Sequence, residues 1–284
     1  MNSQQTQSET RGGATPGAAL SRREWHYLAL ASATTLRCFS PLKQAKGAFK
    51  KDWLYFHYER EPQGLSVVLG KLRTLPERLS DFCQQNFTVT PVHVIIFSSR
   101  EAYLRHLERT LPKAPRRTSL FVVRGGRPTI LAFDGDSLQK DLLHEAVHAL
   151  NFSTFGTAQF PLWLDEGMAE WFEADESEQN KIHGDLIRGI MGEQRTALAV
   201  PLKLTSIERI KTTTRANALS YAVSWAWCRF LGDRSTACHR IWVQYVSDMR
   251  SGIAAGKLSH RLALAVPNYE ELFLKRLFLK TAGK

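Results

Sequence analysis

The chain has 284 residues, 43% hydrophobic and 23% charged, which places it among globular proteins and excludes wholesale disorder or a fibrous repeat. Its formal net charge of +11 favours acidic surfaces, but the basic residues are scattered, with no basic helix interleaved with stacking aromatics, so no nucleic-acid partner is expected. The most apolar run, Tyr27 to Leu36, is about half the roughly 18–20 residues that a spanning helix needs, so no transmembrane segment is expected.

Residues 1–20 are rich in Gln, Ser, Thr, Gly and Ala and poor in large apolar side chains, which predicts a disordered leader. Within 21–40, Ser21-Arg22-Arg23 ahead of YLALASATTL resembles a twin-arginine export signal. An amphipathic first helix explains the same residues, and a cytoplasmic and an exported location both stay open. Cys38, Cys83, Cys228 and Cys238 form no C-x-x-C pair or zinc-ribbon spacing and read as buried thiols, with a Cys228–Cys238 bridge open only for an exported chain.

From Asp52 the pattern changes. WLYFHYE reads as a strand, and apolar residues at helical spacing (Leu65, Val68, Leu69, Leu72, Leu79, Phe82) predict a helix over 65–87. PVHVIIFSS, residues 91–99, suits a buried strand, and Arg100 to Thr110 a helix. Leu120–Val123 and Thr129–Phe133 flank Gly125-Gly126 as a hairpin. Beyond residue 135 the signals are helical, with loops at 151–160 and 195–205 and turns near Gly232 and Gly256. The fold class is α+β: a strand-and-helix lobe over 45–135 and a mainly helical lobe over 136–284.

The segment DGDSLQKDLLHEAVHALNF carries the chemistry. Asp136 and Gln139 have capping-box spacing and start a helix whose circumference is mostly apolar, apart from a stripe of Asp141, His144, Glu145, His148 and Asn151. That stripe contains H-E-x-x-H. One turn separates His144 from His148, so both imidazoles can bind one zinc ion, with Glu145 beside them to hold water. Nine histidines in the chain make the bare pattern a weak signal, and a solvent-facing polar stripe is the plain alternative.

A tetrahedral catalytic zinc needs a third protein ligand and an open position. FPLWLDEGMAEWFEADE supplies Glu166, Glu170 and Glu173 at i, i+4 and i+7, three carboxylates whose repulsion a cation would relieve. Leu164, Met168, Trp171 and Phe172 would pack this helix into the helical lobe, and Gly167 and Ala169 would let it approach the histidine helix. Glu166 is the candidate ligand, whereas Glu173 reads as part of a solvated acidic face. Each ligating imidazole needs an outer acceptor for its second N–H, for which Glu170 is the first candidate and Asp141 the second.

HEAVH followed by WLDEGMAEWFE resembles the gluzincin metallopeptidases, and is especially similar to the peptidase-MA-like bacterial proteins with HExxH and then P-x-W-L-x-E-G-x-A-E-Y/W-F. The resemblance covers residues 138–175 and, more weakly, SYAVSWAWCRFL. It implies a zincin-like fold, one Zn2+ per chain, Glu166 as third ligand with 17 residues between it and His148, and a peptide or protein substrate. It also points to Tyr221 as the tyrosine that supports a developing oxyanion. The aminopeptidase-type G-x-M-x-N motif is absent, so the activity it implies is of endopeptidase type, with Glu145 as general base. A non-catalytic zinc-containing binding module satisfies the same ligands. His183 and His260 read as structural, and the strand Thr129–Phe133, just ahead of the histidine helix, is a candidate to pair with an extended substrate.

Overall fold

The computed structural model describes residues 46–156, 160–191, 202–210 and 218–279. The expectations for residues 1–40, and much of the loop over 195–205, lie outside the described residues. Within them the fold is α+β. Strand β1 (Gly47–Lys51) pairs antiparallel with β2 (Leu54–Tyr58). Helix α1 (Leu65–Cys83) then crosses to β3 (Val92–Phe97), parallel to β2. Helix α2 (Arg100–Thr110) leads to the hairpin of β4 (Ser119–Arg124) and β5 (Arg127–Phe133). The sheet order is β1-β2-β3-β5-β4, with β5 parallel to β3.

The period-two alternation of the strands divides the apolar residues between two faces. Val94 and Ile96 of β3, Phe121 of β4 and Ile130 of β5 share a core with α1 and the helices that follow, whereas Ile95, Phe97, Val122 and Leu131 share one with Tyr103 and Leu107 of α2. The hairpin turns through Gly125 and Gly126 at φ of 53° and 75°, a left-handed pair that side chains disfavour and that makes Gly-Gly the local signal. Strand β1 was not legible, because GAFKK exposes Ala48, Lys50 and Lys51 and has no apolar alternation.

The remaining described helices are α3 (Leu138–Phe155), α4 (Leu162–Phe172), α5 (Glu176–Gln179), α6 (Asp185–Met191), α7 (Leu204–Ile207), α8 (Ala218–Leu231), α9 (Ala237–Arg250), α10 (Leu258–Ala265) and α11 (Tyr269–Leu279). A π-helical turn, Asn180–Gly184, joins α5 to α6. The capping box expected of Asp136 and Gln139 is replaced by another start. Ser137 occupies the cap position without a side-chain cap, its hydroxyl instead donating to Asp141 at 2.7 Å, and Leu138 N–H bonds Gly135 O at 3.0 Å. Helix α3 also continues through the loop expected from residue 151. Phe152 lies near Phe121 and Phe155 stacks on Phe160, with centroids 5.9 and 4.5 Å apart, so aromatic burial carries the helix on to Gly156.

One apolar cluster extends from Phe56 and Val94 through α3 and α4 to Trp225 of α8 and Trp242 of α9. Helix α4 is buried almost throughout, Trp171 being half-buried. The close approach expected of Gly167 is to α8 and not to the histidine helix. A Cβ at Gly167 would stand 2.5 Å from the backbone oxygen of Ser224 and 2.7 Å from the Cys228 sulfur. Cys83, Cys228 and Cys238 are free and buried, and burial raises all three thiol pKa values. Among the described residues no helix is long and apolar enough to cross a membrane.

Candidate metal centre

Helix α3 packs on β4 and β5 with one side and on α4 with another, and its polar stripe lies between them. His144 and His148 have ring centroids 4.8 Å apart at 76°, side by side on successive turns. Helix α4 brings Glu166 to them: its Oε2 lies 3.6 Å from His144 Nε2 and 3.7 Å from His148 Nε2. These separations exceed the usual hydrogen-bond range but suit a tetrahedral polyhedron, since bonds of roughly 2.0–2.1 Å to zinc give ligand-to-ligand edges near 3.4 Å. The three groups are buried or nearly so, and their ligand atoms all lie within 4.8 Å of one another. Two imidazole nitrogens and one carboxylate oxygen form a donor set that fits zinc.

The outer partners differ from those the sequence suggested. His144 Nδ1 donates to Glu173 Oε2 at 2.8 Å, and His148 Nδ1 lies 3.0 Å from Asp165 Oδ1, itself held by Asn151 Nδ2 at 2.7 Å. Glu173, taken for a solvated residue, supports His144 because seven residues past Glu166 it stands two turns along the same face of α4. Glu170, the first candidate, is placed against His183 at 3.1 Å. Asp141, the second, accepts from Ser137 and from Thr118 Oγ1 at 2.9 Å, so it ties α3 to the entry of β4 and does not orient a histidine. Burial pushes the Asp141 carboxyl up, against the lowering effect of those two hydroxyls. For His144, burial disfavours the charged ring, but the carboxylates of Glu166, Glu173 and Glu145 together outweigh it and hold its pKa well above the ordinary value.

Glu145 is 1% exposed and faces the edge strand. Its Oε1 accepts from Ser119 Oγ at 2.9 Å and its Oε2 from Phe121 N–H at 2.7 Å, so α3 and β4 are joined where the sheet ends. Each oxygen retains further acceptor capacity. Strand β5 cannot take an added strand, because β3 and β4 flank it, and β4 holds the edge beside α3. Tyr221 of α8 accepts from Arg117 Nη2 at 3.0 Å, which fixes its hydroxyl against the residues leading into β4. His260 is exposed on α10, whereas His183 is buried beside Glu170 and Trp225.

Asp165 and His183 were missed as functional candidates. Asp165 is adjacent to Glu166, and its chance of being seen lay in the i−1 position, from which its short side chain reaches the His148 imidazole beside the ligand. His183 carried no such signal, since a π-helical turn brings it back to α4. No family model and no curated protein matches the chain.

Proposed function

We propose that this chain is a zinc-dependent endopeptidase of the gluzincin kind, with a zincin-like arrangement of edge strand, histidine helix and third-ligand helix. The observation that carries the reading is the convergence of His144 Nε2, His148 Nε2 and Glu166 Oε2 at ligand-to-ligand spacing, where α3 and α4 pack together beside the end of the sheet. His144, His148 and Glu166 would hold the metal. Bound there, zinc supplies Lewis-acid polarisation of a substrate carbonyl and of water.

The chain's own residues do the rest. Glu145 takes the proton of the attacking water on a carboxylate oxygen and passes it to the leaving amine, while Ser119 Oγ and Phe121 N–H hold that carboxylate in position. Glu173 and Asp165 fix the planes of the two imidazoles by engaging their Nδ1 atoms. Tyr221, braced by Arg117, is the candidate donor to a developing oxyanion. The edge strand β4 offers backbone groups to an extended peptide, replacing β5 in that role.

A second reading, a zinc-holding module that hydrolyses nothing, is favoured by one observation: both oxygens of Glu145 are engaged by β4. Glu145→Gln separates the two. The peptidase reading expects wild-type protein to cleave members of an unbiased peptide library and the variant to lose that cleavage while retaining zinc and fold. Zinc-loaded wild type without turnover supports the module, and undiminished cleavage by the variant contradicts the general-base role.

A further inference from the structure

The residues that lead into β4 run along the polar stripe of the histidine helix. Ser119 Oγ donates to Glu145 and Thr118 Oγ1 to Asp141, both at 2.9 Å, and Arg117 Nη2 reaches the Tyr221 hydroxyl of α8 at 3.0 Å. Arg117, Ser119 and Phe121 recur with period two, so an extended chain directs them to one side. Their surroundings agree: Tyr221, Glu145 and the apolar core shared with α3 all belong to the metal-centre face of the sheet. Tyr221 comes to this place from the opposite direction, since one turn further along α8 Ser224 meets Gly167, the neighbour of Glu166. The Arg117 guanidinium therefore lies between the edge strand that holds Glu145 and the helix packed beside the third-ligand position.

The protein supplies no counter-charge for this cation. Arg117 is half-buried, one amino group engages a neutral hydroxyl, and the guanidinium carbon stands 5.9 Å from the centroid of the Tyr221 ring. Among the described residues no carboxylate lies at ion-pair distance from it. Arg116, the preceding residue, shows the ordinary arrangement, exposed and paired with Glu108 at 2.8 Å. Lys113, exposed on the same loop, adds another cation without a carboxylate partner among the described residues, in a chain of net charge +11. A guanidinium has five N–H donors in a fork that matches a carboxylate, and most of those of Arg117 remain to be used. Partial desolvation strengthens their attraction for an anion.

We propose that Arg117 is a specificity-determining residue that binds the carboxylate of an Asp or Glu side chain in a peptide extended along the free edge of β4. The inference rests on the peptidase reading and narrows its substrate class to acidic peptides. In an added strand the side chains on one face recur about every 7 Å. Arg117 is two residues along the edge from Ser119, the partner of Glu145. The recognised carboxylate therefore belongs to a residue within about two positions of the bond that lies beside Glu145.

Because Arg117 also braces Tyr221, its loss is expected to slow every substrate, and the informative readout is a ratio. Bonds cut by the full chain in a library of end-blocked peptides are mapped by mass spectrometry, and the best-cut peptide is remade with Gln or Lys in place of its acidic residue. The proposal expects Asp or Glu enriched at one position near the cut, and a Glu-over-Gln preference in kcat/KM of at least about tenfold, as for a charge-assisted hydrogen bond. Arg117→Gln should bring that ratio near one, and Arg117→Glu should turn the preference to Lys. Tyr221→Phe should slow all three peptides and keep the ratio. A second assay needs neither turnover nor metal: fluorescence anisotropy of labelled Gly-Ala-Ser decapeptides with one central Glu, Gln or Lys, on Glu145→Gln protein with and without Arg117→Gln. Melting curves identify any variant that has lost its fold. An Arg117-dependent preference for Glu in binding, with no cleavage by wild type, would end the peptidase reading and leave the carboxylate site standing. Absence of an acidic preference in both assays, a ratio unchanged in folded Arg117→Gln, or transfer of the preference to a neutral peptide with a free C-terminal carboxylate would overturn the proposal.

Discussion

Glu173 Oε2 accepts a 2.8 Å hydrogen bond from Nδ1 of His144, and the Nε2 of that ring is 3.6 Å from Glu166 Oε2. The carboxylate thus orients the imidazole and engages its Nδ1–H, which leaves Nε2 as the nitrogen that a metal would take on displacing its proton.

Glu173→Gln should therefore lower the affinity for the first equivalent of zinc by about 10–100-fold, the usual effect of losing an outer-shell acceptor. Asp141→Asn should leave it within a few-fold of wild type, because Asp141 engages Ser137 and Thr118 and no ligand. Competition with a chromophoric chelator measures both. Equal losses in the two variants would contradict the assignment of Glu173.

Gly167 and Gly70 should respond to alanine with opposite signs. At Gly167 an added Cβ meets the Ser224 carbonyl oxygen at 2.5 Å, so Gly167→Ala forces α4 and α8 apart and should cost about 1–3 kcal/mol. At Gly70, exposed on α1, nothing lies within 4 Å, and Gly70→Ala should stabilise by roughly 0.5–1 kcal/mol through helix propensity. Denaturant titration of each variant checks the pair, and a stabilised Gly167→Ala would contradict the packing described.

Acid should reveal His106 of α2. Burial, together with Arg124 and Arg109, pushes its pKa down to about 4, below the value near 6.5 expected when unfolded. Below that unfolded value the unfolded chain binds the proton more readily than the native one. The stabilisation from a neutral His106 is therefore present above pH 6.5 and lost progressively as pH falls toward 4. Because the ring is partly exposed, solvent screening reduces the effect to about 1 kcal/mol. His106→Gln should flatten this part of the stability-versus-pH curve, and an unchanged difference between pH 7 and pH 4.5 would contradict it.

The histidine pair was legible in the sequence because both residues lie on one helix, where spacing alone decides their common face. The strands were legible through the aromatic run of β2, the β-branched residues of β3, β4 and β5 and the Gly125-Gly126 turn, and the mixed α+β class follows from them. What the sequence left open depended on packing between elements. Glu170 and Glu173 are equivalent as acidic residues on α4, and only the approach of α3 on one side and of the π-helical turn on the other assigns the first to His183 and the second to His144. Gly167 likewise reads as a close contact, but its neighbour was not readable, and it proved to be α8.

The most direct measurement is the zinc content of purified full-length chain, wild type beside His148→Ala and Glu166→Ala, after dialysis against a weak chelator. The account predicts about one tightly held zinc in the wild type and its loss from both variants, with each still folded by circular dichroism. A folded wild type that retains no zinc, or a Glu166→Ala variant that binds it as tightly as wild type, would contradict it.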